Sequence, residues 1–211
     1  SGMCEPWLNP ETTQMVLSAH RKGHPLTVYT TLMGMNLSDF GLLETVPFKV
    51  FDIHLPSLEK GRENIIVDDH YLTLLKHFLK SNIHPSCRLH GKSVHPALSS
   101  FVEKTVVRVR AHTRAGNIRI KARSSIKRRK GMIDCLRRFR QNVLLPNGDV
   151  ALCCMDYGLQ HVLGNLLTSN YEDLFLSRPF LKIKSGQKDD ALDILCRYCD
   201  GFAFNIKIGI A

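Results

Sequence analysis

The sequence predicts an α/β protein, with a parallel sheet and helical crossovers followed by a small α+β unit built on a β-hairpin. Two observations carry this expectation. Between residues 26 and 111, short β-rich runs alternate with helical stretches, the pattern that parallel strands joined by helices require. Past residue 134 the pattern becomes NVLL, PNGD, VALCC, two apolar runs around a tight turn.

The opening stretch SGMCEPWLNPE offers Asn9 as the cap and Pro10 as the first residue of a helix running through TTQMVLSAH to Gly23. An asparagine side chain accepts an orphan helical N–H, and proline's fixed φ suits a first turn. Residues 1 to 4 then read as the tip of a strand, and a chain that opens on a strand tip reads as a fragment. The predicted strands are LTVYTT (26–31), FKVFDIHL (48–55), SCRLH (86–90) and TVVRVRA (105–111). Helices are expected between them in LSDFGLLET, VDDHYLTLLKHFLKS and HPALSSFVEK. In the second of these, Tyr71, Leu74, Leu75, Phe78 and Leu79 recur at three- and four-residue intervals and form one apolar face. Ligand sites in such sheets lie beyond the carboxyl ends of the strands. That rule gathers Cys4, Glu5, Thr30, Thr31, His54 and His90 around one rim.

Residues 112–134 are polar and basic, broken by Gly116 and Gly131, and read as a bridge between a unit at 1–111 and a second at 135–211. In the second unit Asn147 and Gly148 can supply the positive φ of a hairpin turn. A short helix is expected in SNYEDLFLS, opened by Ser169 or Asn170 with Asp173 in its first turn. A module of this size calls for a staple beyond its apolar core.

At 211 residues and 44% apolar content the chain can bury a real core. No run of eighteen apolar residues and no signal peptide are apparent, so membrane insertion is not expected and the reading is cytoplasmic. Of the net charge of +10, residues 104–140 supply fourteen Lys or Arg against the single acid Asp134. Such a field attracts an anionic substrate, nucleic acid or anionic lipid, or is simply a solvated basic face. Phe139 is the one aromatic residue in that stretch, so the stacking platforms of single-strand binders are missing and nucleic acid is not favoured.

The seven cysteines are an odd set without a secretory context, and five of them fall in the last 77 residues. Clustered cysteines in a reducing compartment bind metal or react more often than they pair. The pair in CRYC, Cys196 and Cys199, has the spacing that turns two thiolates towards one metal or one cluster. With Cys135 and Cys153 they make four, the complement for tetrahedral zinc or a cubane. Cys4 and Cys87 have a blander reading as buried small apolar residues. Glu5 can simply cap the next turn, and His54 can be a satisfied histidine at a strand end.

The series Cys135, twelve residues, Gly148, four residues, Cys153, with CRYC following, resembles the SPASM or twitch module of radical S-adenosylmethionine enzymes. That resemblance implies an auxiliary 4Fe-4S cluster held by Cys135, Cys153, Cys196 and Cys199, with Cys154 beside it or in place of Cys153. It also implies that the first unit is a truncated partial (βα)6 TIM-like barrel. MCEP resembles the Gly-Gly-Glu-Pro motif that binds the methionyl amino group, with Glu5 at the carboxylate position and Met3 and Cys4 where the family has glycine. Thr30 and Thr31 stand where the family has a Thr-Asn-Gly-like strand end, His54 where it often has serine, and Arg108 or Arg110 where a cofactor carboxylate is met.

The family's three-cysteine loop, which holds the catalytic 4Fe-4S cluster, has no counterpart in these 211 residues. The resemblance implies that it lies upstream and that this chain is the back two thirds of an enzyme that abstracts hydrogen from a substrate. An auxiliary cluster with four protein ligands has no open iron, so its implied role is to carry electrons, with an electron-donor protein as partner, or to scaffold the substrate side. The substrate is unknown, an anionic molecule or a peptide among the options. Two alternatives stand beside this reading: a zinc-stapled basic module for nucleic acid, and a catalytically inactive assembly protein.

Overall fold

The computed structural model describes residues 3–57, 65–89, 93–102, 106–108, 112–118 and 127–201. These divide into two compact units, Ser1–Ala111 and His112–Ala211.

In the first unit a single 3-10 turn, Pro6–Leu8, leads into α1, Thr12–Arg21. The helix starts later than Asn9 and Pro10 suggest, because the Asn9 side chain accepts from Glu11 N at 3.0 Å and so closes a turn ahead of the helix. There follow β1 (Thr27–Thr30), α2 (Leu37–Leu43), β2 (Val50–Leu55), α3 (Asp69–Lys80), β3 (Ser86–Leu89), α4 (Ser99–Val102) and β4 (Val106–Arg108). Asn36 opens α2 with a capping box shared with Asp39. Asp68 opens α3 by accepting from Tyr71 N at 2.8 Å.

The four strands pair in parallel in the order β1-β2-β3-β4, as the alternation of strand and helix predicts, and closure into a barrel is not seen among the described residues. Register decides what each face carries, since strand side chains alternate. Thr30 stands opposite Ile53, and Cys87 opposite the same Ile53. That face packs on α3: Phe51, Ile53, Leu55, Cys87 and Leu89 join Leu74, Leu75 and Phe78 in one core, and Phe51 stacks on Phe78 with ring centres 4.8 Å apart. The other face carries Tyr29, Asp52, His54 and Arg88, with Arg88 Nε paired to the fully buried Asp52.

The second unit holds α5 (Arg137–Arg140), β5 (Val143–Leu144), β6 (Asp149–Ala151), β7 (Val162–Asn165) and α6 (Arg178–Gly186). The strands form an antiparallel sheet in the order β5-β6-β7. Gly148 sits at φ +87° in the hairpin turn, where a Cβ would come within 2.7 Å of Asn165 Oδ1, so only glycine fits. The stretch SNYEDLFLS yields a 3-10 turn, Glu172–Leu176, and no α-helix. The reason is Ser177, which breaks away to cap α6 by accepting from Phe180 N, with Pro179 in the first turn. Val150, Leu152, Met155, Leu163, Leu174, Phe180 and Ile183 form a core of this unit's own.

Residues of the expected bridge are bonded into this unit. Thr113 N donates to Asp200 at 2.7 Å, Arg129 N to the Arg197 carbonyl at 2.8 Å, and Ile133 N to the Gln187 carbonyl at 2.8 Å. Among the described residues no helix is long and apolar enough to cross a membrane.

Candidate functional site

β6 ends at Ala151, and the chain then runs through Leu152 into Cys153, which is buried. Cys196 lies within a 3-10 turn, Leu195–Tyr198, and Cys199 caps its end, with Cys199 N donating to the Cys196 carbonyl at 3.3 Å. Cys135 lies two residues after the buried Ile133, just ahead of α5. Together Cys135, Cys153, Cys196 and Cys199 line one cavity, walled by Ile133, Leu152, Met155 and Leu195 with Arg137, Arg138 and Gln187 at its polar side. Among the described residues no group of three or more His, Cys, Asp or Glu side chains is spaced to hold a single metal ion.

The environment of these thiols is informative. Burial pushes the Cys153 thiol up to about 12, and the charges of Cys154, Cys196 and Cys199 add to the effect against a hydrogen bond from Met155. Burial likewise pushes Cys196 up to about 12, reinforced by Cys135 and Cys199 and opposed by Gln187 and Arg138. Cys199 is raised by burial too. Cys153, Cys196 and Cys199, held towards the neutral thiol by burial, share the cavity lining with Cys135, and such a donor set is relieved by a shared cationic centre, which binds thiolates and releases their protons. Soft sulfur ligands in an apolar wall suit an iron–sulfur cluster or zinc. Cys154 is half-buried outside this lining. Arg137 Nη1 lies 3.7 Å from its sulfur, and its carbonyl accepts from Arg114 at 2.8 Å.

Three side chains that the sequence did not single out hold this site together. Arg197, inside the CRYC loop, is 0% exposed and donates to the carbonyls of Arg129 (3.1 Å), Gly131 (2.8 Å) and Gly186 (2.7 Å), while Asp190 pairs with it at 2.6 Å. Arg138 bonds the Cys135 carbonyl at 2.9 Å and the Gln187 side chain. Read as a string, an arginine between two cysteines looks solvated, and nothing local marks it as internal. Two described residues of the basic stretch are similarly occupied: Arg128 reaches the carbonyls of Asp190 and Leu192, and Arg129 that of Cys199.

Asp156 closes the loop after the adjacent cysteines. It is fully buried and accepts from Gln160 N at 2.9 Å and His161 N at 2.8 Å, with His161 Nδ1 at 3.6 Å. Burial raises its pKa, but the hydrogen bonds from His161 and Gln160 outweigh that and hold it below the usual carboxylate value. A depressed folded-state pKa gives stability that is present above the unfolded value of about 3.9 and is lost as pH falls through the folded one. In iron-free protein, Asp156→Asn is therefore expected to lower the urea midpoint at neutral pH and to flatten its decline below about pH 4. Parallel acid limbs for the two proteins would remove Asp156 as a cause.

At the sheet of the first unit, Glu5 is fully engaged. Its Oε1 accepts from Thr30 Oγ1 at 2.6 Å and Trp7 N at 3.3 Å, and its Oε2 from Thr31 N at 2.6 Å and Thr31 Oγ1 at 2.7 Å. Glu5 and Thr30 are thus brought together, whereas His54 lies on the opposite face of the sheet from Thr30, 6.0 Å from the Tyr29 ring. Arg110 and His90 lie outside the described residues, as does the side chain of Arg108. Four donors from Trp7, Thr30 and Thr31 thus surround the Glu5 carboxylate.

Comparison with known proteins adds two findings. Residues 135–200 match the family model SPASM, an iron–sulfur cluster-binding domain. Among solved structures, the crystal structure of BtrN in complex with AdoMet and 2-DOIA is similar in fold, at 14% identity and a TM-score of 0.56, over 93% of this chain and 69% of that one. No curated protein matches the chain.

Proposed function

We propose that this chain, which carries a C-terminal SPASM module related to radical S-adenosylmethionine enzymes such as BtrN, belongs to an iron–sulfur oxidoreductase whose module holds an auxiliary 4Fe-4S cluster. The ligands in this reading are Cys135, Cys153, Cys196 and Cys199, and the observation that carries it is their meeting around one apolar cavity. Bound there, the cluster supplies one-electron chemistry. The chain's own residues do the rest. Ile133, Leu152, Met155 and Leu195 keep water from the sulfurs, while Arg197 and Arg138 fix the segments bearing the closing pair and Cys135. Cys154, with Arg137 against its sulfur, would neighbour a cluster held there.

Hydrogen abstraction from a substrate belongs to the same reading and needs a second cluster on a three-cysteine loop, a motif these 211 residues do not contain. An anionic or peptide substrate and an electron-donor protein are the partners this reading calls for, in a reducing, cytoplasmic setting that keeps thiols available. Within the described part of the basic stretch, Arg128, Arg129 and Arg138 are turned to carbonyls of their own chain, which weighs against the nucleic-acid alternative.

Anaerobic purification followed by iron, sulfide and zinc analysis tests the proposal. About four irons with matching sulfide and a brown colour are expected per chain. One zinc without iron would replace the cluster by a structural staple.

A further inference from the structure

Gln187 ends α6 at the edge of the cysteine cavity and is 2% exposed. Its Oε1 accepts from Arg138 Nη1, and its Nε2 lies 3.7 Å from Cys196 Sγ. The same guanidinium nitrogen donates to the Cys135 carbonyl at 2.9 Å. The backbone is held on both sides, Gln187 N by the Ile183 carbonyl at 2.9 Å and the Gln187 carbonyl by Ile133 N at 2.8 Å. Guanidinium only donates and an amide has a single oxygen, so the amide cannot be turned round. Its oxygen must face Arg138, and its N–H must face the sulfur.

From this geometry we infer that Gln187, held by Arg138 as a positioning residue, is the hydrogen-bond donor that raises the reduction potential of the cluster at this cavity. The inference rests on the cluster reading above. An N–H directed at a ligand sulfur stabilises the more negative, reduced state more than the oxidised one, and such contacts are among the main determinants of cluster potential. The arrangement also joins two ligand segments far apart in sequence, because one arginine touches the Cys135 backbone and orients the amide that touches Cys196. A purely structural glutamine, present only to satisfy a half-buried arginine, would leave the potential where it is.

The test is an EPR-monitored redox titration of the full chain reconstituted anaerobically with iron and sulfide. Gln187→Met keeps the side-chain length and removes the N–H, and Gln187→Glu keeps the tie to Arg138 while turning an anionic acceptor towards the sulfur. Both midpoints are expected to move to more negative potential at native iron content, Gln187→Glu further than Gln187→Met. Arg138→Met should move it in the same direction by less. An unchanged midpoint in Gln187→Met, the variant that adds no charge, would overturn the inference whatever Gln187→Glu does, and the equally neutral Gln187→Leu carries the test if Gln187→Met does not fold. Metal analysis of the native protein before titration separates the two levels, since zinc in place of iron defeats the cluster reading as well as this one.

Discussion

Replacing Cys199 by serine is expected to strip the C-terminal unit of its iron, and Cys196→Ser to do the same, while Cys87→Ser leaves iron content at the native level. The hydroxyl of serine is a poor, hard replacement for a soft thiolate. Cys196 and Cys199 line the same cavity as Cys135 and Cys153, so losing either breaks the donor set at its closing turn. Cys87 lies in the sheet core of the other unit, where burial and the charge of Asp52 push its thiol up to about 11. Because a metal centre that binds only the folded state adds its binding energy to folding, the two closing-pair variants should also unfold at much lower urea. Iron counts near zero are expected for them against about four for the native chain. Equal loss in all three variants would defeat the ligand assignment.

The second large effect is expected at Arg197. Its methionine variant keeps most of the side-chain volume but removes the guanidinium, leaving the carbonyls of Arg129, Gly131 and Gly186 without their donor. Breaking a buried charged network in this way costs about 3 kcal/mol or more. Lysine should recover part of that, since an ammonium offers three donors from one point and cannot span the fork. Hydrogen exchange provides the local readout. The Arg129 amide, bonded to the Arg197 carbonyl, and the Ile133 amide, bonded to the Gln187 carbonyl, should lose protection together. Retained protection, with a change under about 1 kcal/mol, would show that the guanidinium contributes little.

What the sequence revealed follows a physical division. The apolar face of α3, the hairpin turn at Gly148 and the Cys196–Cys199 pair are legible because each depends on neighbours within a few residues, whereas Cys135 and Cys153 join that pair only through the motif resemblance. Arg197 is not legible, since its partners at 129 and 131 are more than sixty positions away. Gln187 is hidden for the same reason, 49 positions from Arg138. Glu5 shows both sides of the division. Its place at a strand-end motif stands out in the string, yet only folding reveals that Thr30 and Thr31, 25 and 26 residues on, consume its carboxylate. The start of α1 differs from expectation because Asn9 has two competing uses, capping a helix or closing a turn, and the turn prevails.

The inward aim of the arginines has a practical corollary. The isoelectric point of about 9.4 counts every guanidinium equally, but those at 128, 129, 138 and 197 grip the chain's own carbonyls. On a cation-exchange resin the protein should elute earlier than its titration curve suggests, because a charge folded against its own backbone, as Arg197 is, stands back from the matrix.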